Sequence, residues 1–429
     1  MKPQKRMEEL PAIVRLRNEK RKVDKDYFFH KEAASNYAVK NHIYSKEAYR
    51  KSYADYRYAW NNINSNISAN PLCIDIEVAS YCDLGCPFCY RQQVVTPDKL
   101  ISDELAVSVV QQAIELNVES IKFNWRGEPL LNPRLEKYIE QAKKGGTIET
   151  LINTNALSLT TERSENLIKA GLDTLIYSFD GGSKETYEKN RPGRFKNNKF
   201  ENIIDNIRNF NDVKKNLNSP FPFTRIQMIL TEETRKELDD FISIFSNIVD
   251  EVSVKQYTER GGNISVLSKK ERELLQNYCD INNLDINTVE FMVTEGKVYV
   301  SKSRIPCKQP FQRLLVTYEG RVGMCCYDWG ATYPVGVINK EQAINAIKDY
   351  QQTNENINVK KKGFEMMKPI INQDFKALEN LQSDQKLIDI WNGSKISDVR
   401  KKQIELRHEE ISICKNCKFK ETYKWAVLS

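Results

Sequence analysis

The strongest chemical signal in this sequence is the run Cys82-Asp-Leu-Gly-Cys86-Pro-Phe-Cys89, with three and then two residues between the cysteines. Thiolates at this spacing can wrap three corners of a cubane [4Fe–4S] cluster. The loop holds no fourth cysteine, which leaves one iron open to an external ligand, as a reactive cluster requires. A zinc site or three unrelated buried cysteines is the competing reading. Structural zinc usually takes four ligands in two pairs, and no further Cys or His lies nearby to complete such a set. A second group runs Cys307, twelve residues to Gly320, four to Cys325, then far later Cys414-Lys-Asn-Cys417. Four such thiolates suit a second cluster or a zinc ion equally.

The remaining chemistry is limited by what the chain lacks. It has only three histidines, His30, His42 and His408, which argues against Ser–His–Asp hydrolysis, a general-base histidine and His-ligated zinc. Ten cysteines point to metal rather than disulfides, because the charged start (Met1–Glu9) shows no secretory h-region and the reducing cytoplasm is the default address. No apolar stretch approaches the ~20 residues needed to cross a bilayer. The net charge of +7 is concentrated in residues 1–70, which hold 15 Lys/Arg against 8 Asp/Glu. Acids are interleaved with those bases, so a solvated helix face is favoured over a nucleic-acid arm.

The cysteines need a scaffold, and the pattern supplies one. Residues 1–71 read as a charged, tyrosine-rich helical extension. Over 72–256, strands are predicted at 73–78, 120–124, 150–153, 174–178, 225–230 and 251–256, alternating with helices. Six β–α repeats predict a parallel sheet, too few strands for a closed eight-stranded barrel. The fold class is therefore α/β, a partial (β/α)6 TIM-like barrel. Cys82 follows its first strand, at the sheet edge where α/β ligands bind. Residues 257–306 read as an irregular connector with one helix over 268–278. A hairpin is expected at 314–318 and 322–326 around Gly320, and the polar stretch at about 350–385 reads as an insertion. Cys73 and Cys279 read as packing residues.

This pattern resembles the radical S-adenosylmethionine (SAM) superfamily, whose C-x₃-C-x₂-C loop with an aromatic before the last cysteine is matched by Cys82, Cys86, Phe88 and Cys89. The resemblance continues in order along the strands. Trp125-Arg-Gly-Glu-Pro129 resembles the glycine–glutamate motif that binds the methionyl ammonium, with Arg126 in place of its first glycine. Asn153-Thr-Asn155 resembles a Thr-Asn-Gly segment, with Ala156 replacing the glycine. Ser178-Phe-Asp-Gly181 resembles a segment facing the ribose and methionyl part, and Arg191 lies where relatives often carry a basic residue near the SAM carboxylate. The late cysteines resemble the SPASM/Twitch extension, so residues 307–429 are expected to form a small iron–sulfur domain of the one-cluster Twitch form.

The resemblance implies SAM and two [4Fe–4S] clusters. Cys82, Cys86 and Cys89 would hold one cluster, and Cys307, Cys325, Cys414 and Cys417 the auxiliary one. Gly127, Glu128, Asn155, Ser178, Asp180 and Arg191 would contact SAM. An electron from a low-potential donor such as flavodoxin or ferredoxin would cleave SAM to a 5′-deoxyadenosyl radical, which abstracts hydrogen from substrate. A fully ligated auxiliary cluster suits electron transfer, and the tail resembles 2-deoxy-scyllo-inosamine dehydrogenases, so oxidation of a carbohydrate-like or other small polar substrate is expected. Epimerisation, peptide or protein maturation, and a non-catalytic iron–sulfur role are the alternatives. Cys326 is a candidate hydrogen donor and Asp328 a candidate base.

Overall fold

A computed structural model describes residues 13–16, 46–62, 67–92, 98–195, 198–258, 266–294, 296–356 and 383–428. Its main sheet has ten strands. In chain order the first seven are β1 (Ile13–Leu16), β2 (Cys73–Ile76), β3 (Ser120–Lys122), β4 (Glu149–Thr154), β5 (Thr174–Ser178), β6 (Phe223–Leu230) and β7 (Glu251–Gln256). Strands β2 to β7 pair in sequence order and all in parallel. They form the partial barrel read from the β–α alternation. Along β4 and β6 half-buried and fully buried residues alternate without a break. The buried set, including Ile121, Ile152, Leu175, Ile226 and Val252, packs against the helices as one core. Such strict period-2 burial fixes the register, because a one-residue slip would turn the apolar set away from the helices.

The helices between the strands begin and end where local chemistry dictates. Ser102, Thr160, Ser183 and Ser268 each accept a bond from a first-turn backbone N–H, capping the helices Asp103–Glu115, Thr161–Ala170, Lys184–Asn190 and Lys269–Ile281. Gly171 stops the second of these in the left-handed conformation at φ 91°.

The sheet continues past the barrel. Strands β8 (Phe291–Thr294) and β9 (Lys297–Arg304) form an antiparallel hairpin, while β10 (Arg313–Val316) lies parallel to β2. Strands β11 (Arg321–Gly323) and β12 (Gly336–Val337) then extend the main sheet antiparallel. The last strand, β13 (Tyr423–Val427), pairs with β9 to close a three-stranded sheet.

Two expectations are corrected. The N-terminal extension is not wholly helical: Lys46–Asn61 is a helix, but Ile13–Leu16 is a strand antiparallel to β7. Four residues, three of them apolar around Arg15, are too few to show a helical period, and pairing with the barrel's open edge decides their state. The connector is not irregular either. Beyond the helix Lys269–Ile281 it holds the β8–β9 hairpin, turned at Gly296 with φ 70°. The hairpin around Gly320 is present as β10 and β11, shorter than expected. Other helices read within residues 1–45, and most of the insertion at 350–385, lie outside the described residues. No helix among the described residues is long and apolar enough to cross a membrane.

Candidate functional site

The Cys82–Cys89 loop sits at the C-terminal mouth of β2 and is clamped from two sides. On one side, the Glu128 backbone N–H donates to the Tyr81 carbonyl at 2.7 Å, and Asn155 Nδ2 donates to Asp83 Oδ1 at 2.7 Å. On the other, Gly85 N–H donates to the Pro192 carbonyl at 2.8 Å and Arg194 N–H to the Asp83 carbonyl at 2.7 Å. Cys86, Leu84, Phe88 and Tyr257 are buried together, with Cys82 and Cys89 half-buried beside them. Burial pushes the Cys86 thiol up to about 12, against the pull of the Arg191 guanidinium. Cys82 rises further, through burial and then the nearby Glu128 carboxylate. Cys82 and Cys86 are desolvated and close to one another, with Cys89 close to Cys86, and the Arg191 guanidinium offsets the burial of Cys86 only in part. The soft donor chemistry of these sulfurs and their need for a cationic partner fit an iron–sulfur cluster. Among the described residues, no three His, Cys, Asp or Glu converge tightly enough for a single metal ion.

The residues expected around SAM gather at the same mouth. Glu128 is buried; its Oε1 accepts from Thr154 Oγ1 at 2.7 Å and Leu130 N–H at 3.1 Å, and its Oε2 from Asn155 N–H at 2.8 Å. Burial, with Asp83 nearby, raises this carboxyl to about 7 despite those donors. A ligand ammonium at Glu128 would restore its charge. Gly127 adopts φ 69° and packs against the Ala79 and Tyr81 carbonyls. Ser178 is half-buried at the end of β5. Asp180 works through its neighbours: Oδ2 accepts from Arg191 Nε at 2.8 Å and Nη2 at 2.5 Å, and Oδ1 from Ile229 N–H at 2.6 Å. It therefore holds Arg191, whose guanidinium lies 5.8 Å over the Phe88 ring.

Arg126, at the position of the expected glycine, points to the C-terminal region. It pairs with Glu77 through Nε at 2.6 Å and Nη2 at 2.8 Å, and Nη1 donates to the Trp329 carbonyl at 3.1 Å. Glu77 also accepts from Tyr318 N–H at 3.2 Å, and Trp125 Nε1 donates to the Cys326 carbonyl at 3.1 Å. This buried pair ties the barrel mouth to the segment after Cys325. Arg126→Met is expected to leave the buried Glu77 carboxylate without its cation and cost about 3–5 kcal/mol. Thermal unfolding of the double variant Arg126→Met/Glu77→Gln should recover most of that loss. Equal loss in both variants would show that the ion pair is not the cause.

The structure also brings the late cysteines together. Cys307 is buried, and its thiol is driven up by burial and by the charges of Cys417, Cys414 and Cys326. Cys325 is driven up by burial and by Cys326, Cys307 and Cys417. Backbone N–H groups of Tyr327 and Phe419 donate to the sulfurs of Cys325 and Cys417 at 3.3 and 3.4 Å. The wholly buried Gln403 accepts from Cys307 N–H at 2.9 Å and donates to Cys414 Sγ at 3.3 Å. Convergent thiols with N–H···S bonds also fit an iron–sulfur cluster. Cys326 stands among them as a fifth thiol. Asp328 is a turn cap: Oδ1 accepts from Thr332 N–H and Oγ1, and Oδ2 from Tyr333 N–H. Both of its oxygens are engaged in this turn. Sequence reasoning missed Glu77, whose partners Arg126 and Tyr318 lie 49 and 241 positions away, and Gln403, whose partner Cys307 lies 96 positions away.

Comparison with known proteins agrees with this arrangement. Residues 76–244 match the model of the radical SAM superfamily, and residues 307–418 that of an iron–sulfur cluster-binding domain, SPASM. A probable GTP 3′,8-cyclase of Methanothermobacter marburgensis is 31% identical over 112 residues, covering 26% of this chain and 36% of the relative. A tungsten-containing aldehyde ferredoxin oxidoreductase cofactor-modifying protein of Pyrococcus furiosus is 28% identical over 106 residues, covering 24% and 30%. The chain thus spans about a third of the length of these curated relatives. Among solved structures, native anSMEcpe with bound AdoMet is similar at TM-score 0.50 and 16% identity, covering 81% of this chain and 88% of that one. This is a likeness of fold.

Proposed function

We infer, from a chain that carries a radical SAM domain followed by a SPASM domain, that this enzyme oxidises a small polar, carbohydrate-like substrate in the cytoplasm. A radical SAM domain implies SAM and a [4Fe–4S] cluster, and a SPASM domain implies auxiliary iron–sulfur binding. Together they supply reductive cleavage of SAM and abstraction of a hydrogen atom from substrate.

The chain's own residues would divide the remaining work. Cys82, Cys86 and Cys89 hold the first cluster, and Cys307, Cys325, Cys414 and Cys417 the auxiliary one. Glu128 binds the methionyl ammonium by charge-assisted hydrogen bonding. Asn155 and Ser178 offer hydrogen bonds to the rest of SAM, and Asp180 orients Arg191 toward its carboxylate. The observation that carries this reading is the buried Glu128 carboxylate, fixed by three donors beside the thiol loop with no ion pair to it among the described residues. The dehydrogenase reading uses the auxiliary thiols to accept an electron through their cluster, with a flavodoxin or ferredoxin as the external donor. Cys326, placed among those thiols, suits hydrogen donation in an epimerase instead.

Anaerobically reconstituted and reduced protein is expected to form 5′-deoxyadenosine and methionine from SAM, measured by liquid chromatography. Deuterium should pass from a labelled substrate into the 5′-deoxyadenosine. A protein loaded with iron that forms neither product contradicts the proposal.

A further inference from the structure

The barrel's inner face carries a charge that nothing described in this chain answers. Alternation along the strands sends Ile121, Ile152, Leu175 and Ile226 outward to the helices, so Lys122, Asn153, Ser178 and Gln227 face inward. All four inward residues are half-buried, whereas a lumen filled by its own side chains would bury them. The lumen is therefore open at this level, and its lining is mixed, because the half-buried Leu151, Ile176 and Ile229 share the inward face. Register places Lys122 beside Asp75 and Leu151, Asn153 beside Ile176, and Gln227 beside Ser178 and Ser253.

The acids of this face are already engaged. Asp75 pairs with Arg313 at 2.6 Å, Glu77 with Arg126 at 2.6 Å, and Glu251 with Arg225. Asp180 holds Arg191, and Glu149 accepts from Ser120 Oγ at 3.1 Å and Tyr56 at 3.4 Å. Lys255, near the mouth, lies 6.0 Å over the Tyr327 ring, and it is the first of the cations near Glu421. Lys122 alone of these lumen cations has no ion pair, hydrogen bond or ring contact among the described residues. An ammonium on a half-buried residue without such partners is completed by water or by an anion.

We propose that Lys122 anchors an anionic oxygen group, a carboxylate or a phosphate, on the small substrate that enters the lumen. Asn153 and Gln227 then hydrogen-bond its neutral polar groups. The substrate's place in the lumen rests on the radical SAM reading above; the anion preference of the lumen does not.

The test uses the full-length, reconstituted protein with SAM present, titrated anaerobically by calorimetry with glucose, glucuronate and glucose 6-phosphate. At least one anionic probe should bind at least tenfold more tightly than glucose, and which of the two does so assigns the carboxylate or the phosphate. Lys122→Met should erase that preference and Lys122→Arg should keep most of it, with SAM affinity unchanged in both. Three results overturn the proposal: glucose binding as tightly as both anions, a Met variant that keeps the preference, or a Met variant that loses SAM instead. Formation of 5′-deoxyadenosine by the same preparations is scored separately. Its absence alongside an intact anion preference would reject the radical reading and leave the Lys122 site standing.

Discussion

Replacing Cys82, Cys86 and Cys89 together by Ala is expected to remove about four irons per chain and all formation of 5′-deoxyadenosine, while the auxiliary cluster remains. The expectation follows from how the loop is built. Its backbone is held by bonds from Gly85, Glu128 and Arg194, none of which involves a thiol. Asn155 grips Asp83 rather than a cysteine. The loop should therefore keep its path when the sulfurs are removed, so the loss reports ligation rather than unfolding. The late thiols belong to separate elements: Cys307 follows β9, Cys325 follows β11, and Cys414 and Cys417 precede β13. Iron analysis and electron paramagnetic resonance of the triple variant separate the two sites. Unchanged iron in the variant would place the metal elsewhere and sink the assignment of these three residues.

The cysteine spacing and the β–α alternation were legible in the sequence because both are local. A loop ligand set needs neighbours in the chain, and a strand with one helix-facing side writes its burial as a period of two, as in β4 and β6. What joins the two halves of the molecule was not legible. Arg126 reads from the motif as a misplaced glycine, yet it pairs with Glu77 and reaches Trp329, 203 positions away. Asp180 reads as a contact to the ribose or methionyl part of SAM, and the sequence gives no sign that it also holds Arg191 and the Ile229 backbone. Gln403 lies in an ordinary helix, Ser394–Ile404, whose pattern gives no hint of two cysteine partners. Strands β8, β9 and β13 escaped for a related reason. β13 pairs with β9 across more than a hundred residues, while β8 and β9 form a local hairpin, and each segment shows only a short alternating run.

Gly127→Ala is the single substitution expected to do most damage at the SAM end of the site. A Cβ built there meets the Ala79 carbonyl at 2.3 Å and the Tyr81 carbonyl at 2.5 Å, both backbone atoms of the segment that leads into Cys82. Those carbonyls cannot rotate aside as a side-chain tip can. The Tyr81 carbonyl also accepts from the Glu128 N–H, so relief of the clash moves Cys82 and Glu128 together. The left-handed backbone adds about 1–2 kcal/mol for any residue with a Cβ. Gly296 isolates that second cost, because it shares the conformation at φ 70° but has nothing within 4 Å of a built Cβ. Gly296→Ala should therefore lower thermal stability modestly and leave SAM binding intact. Gly127→Ala should lower it further and weaken SAM binding at least tenfold by equilibrium dialysis, ~1.4 kcal/mol or more. If both variants bind SAM alike, the close approach at Gly127 does not set the position of the cysteine loop, and the motif's glycine serves only its backbone angle.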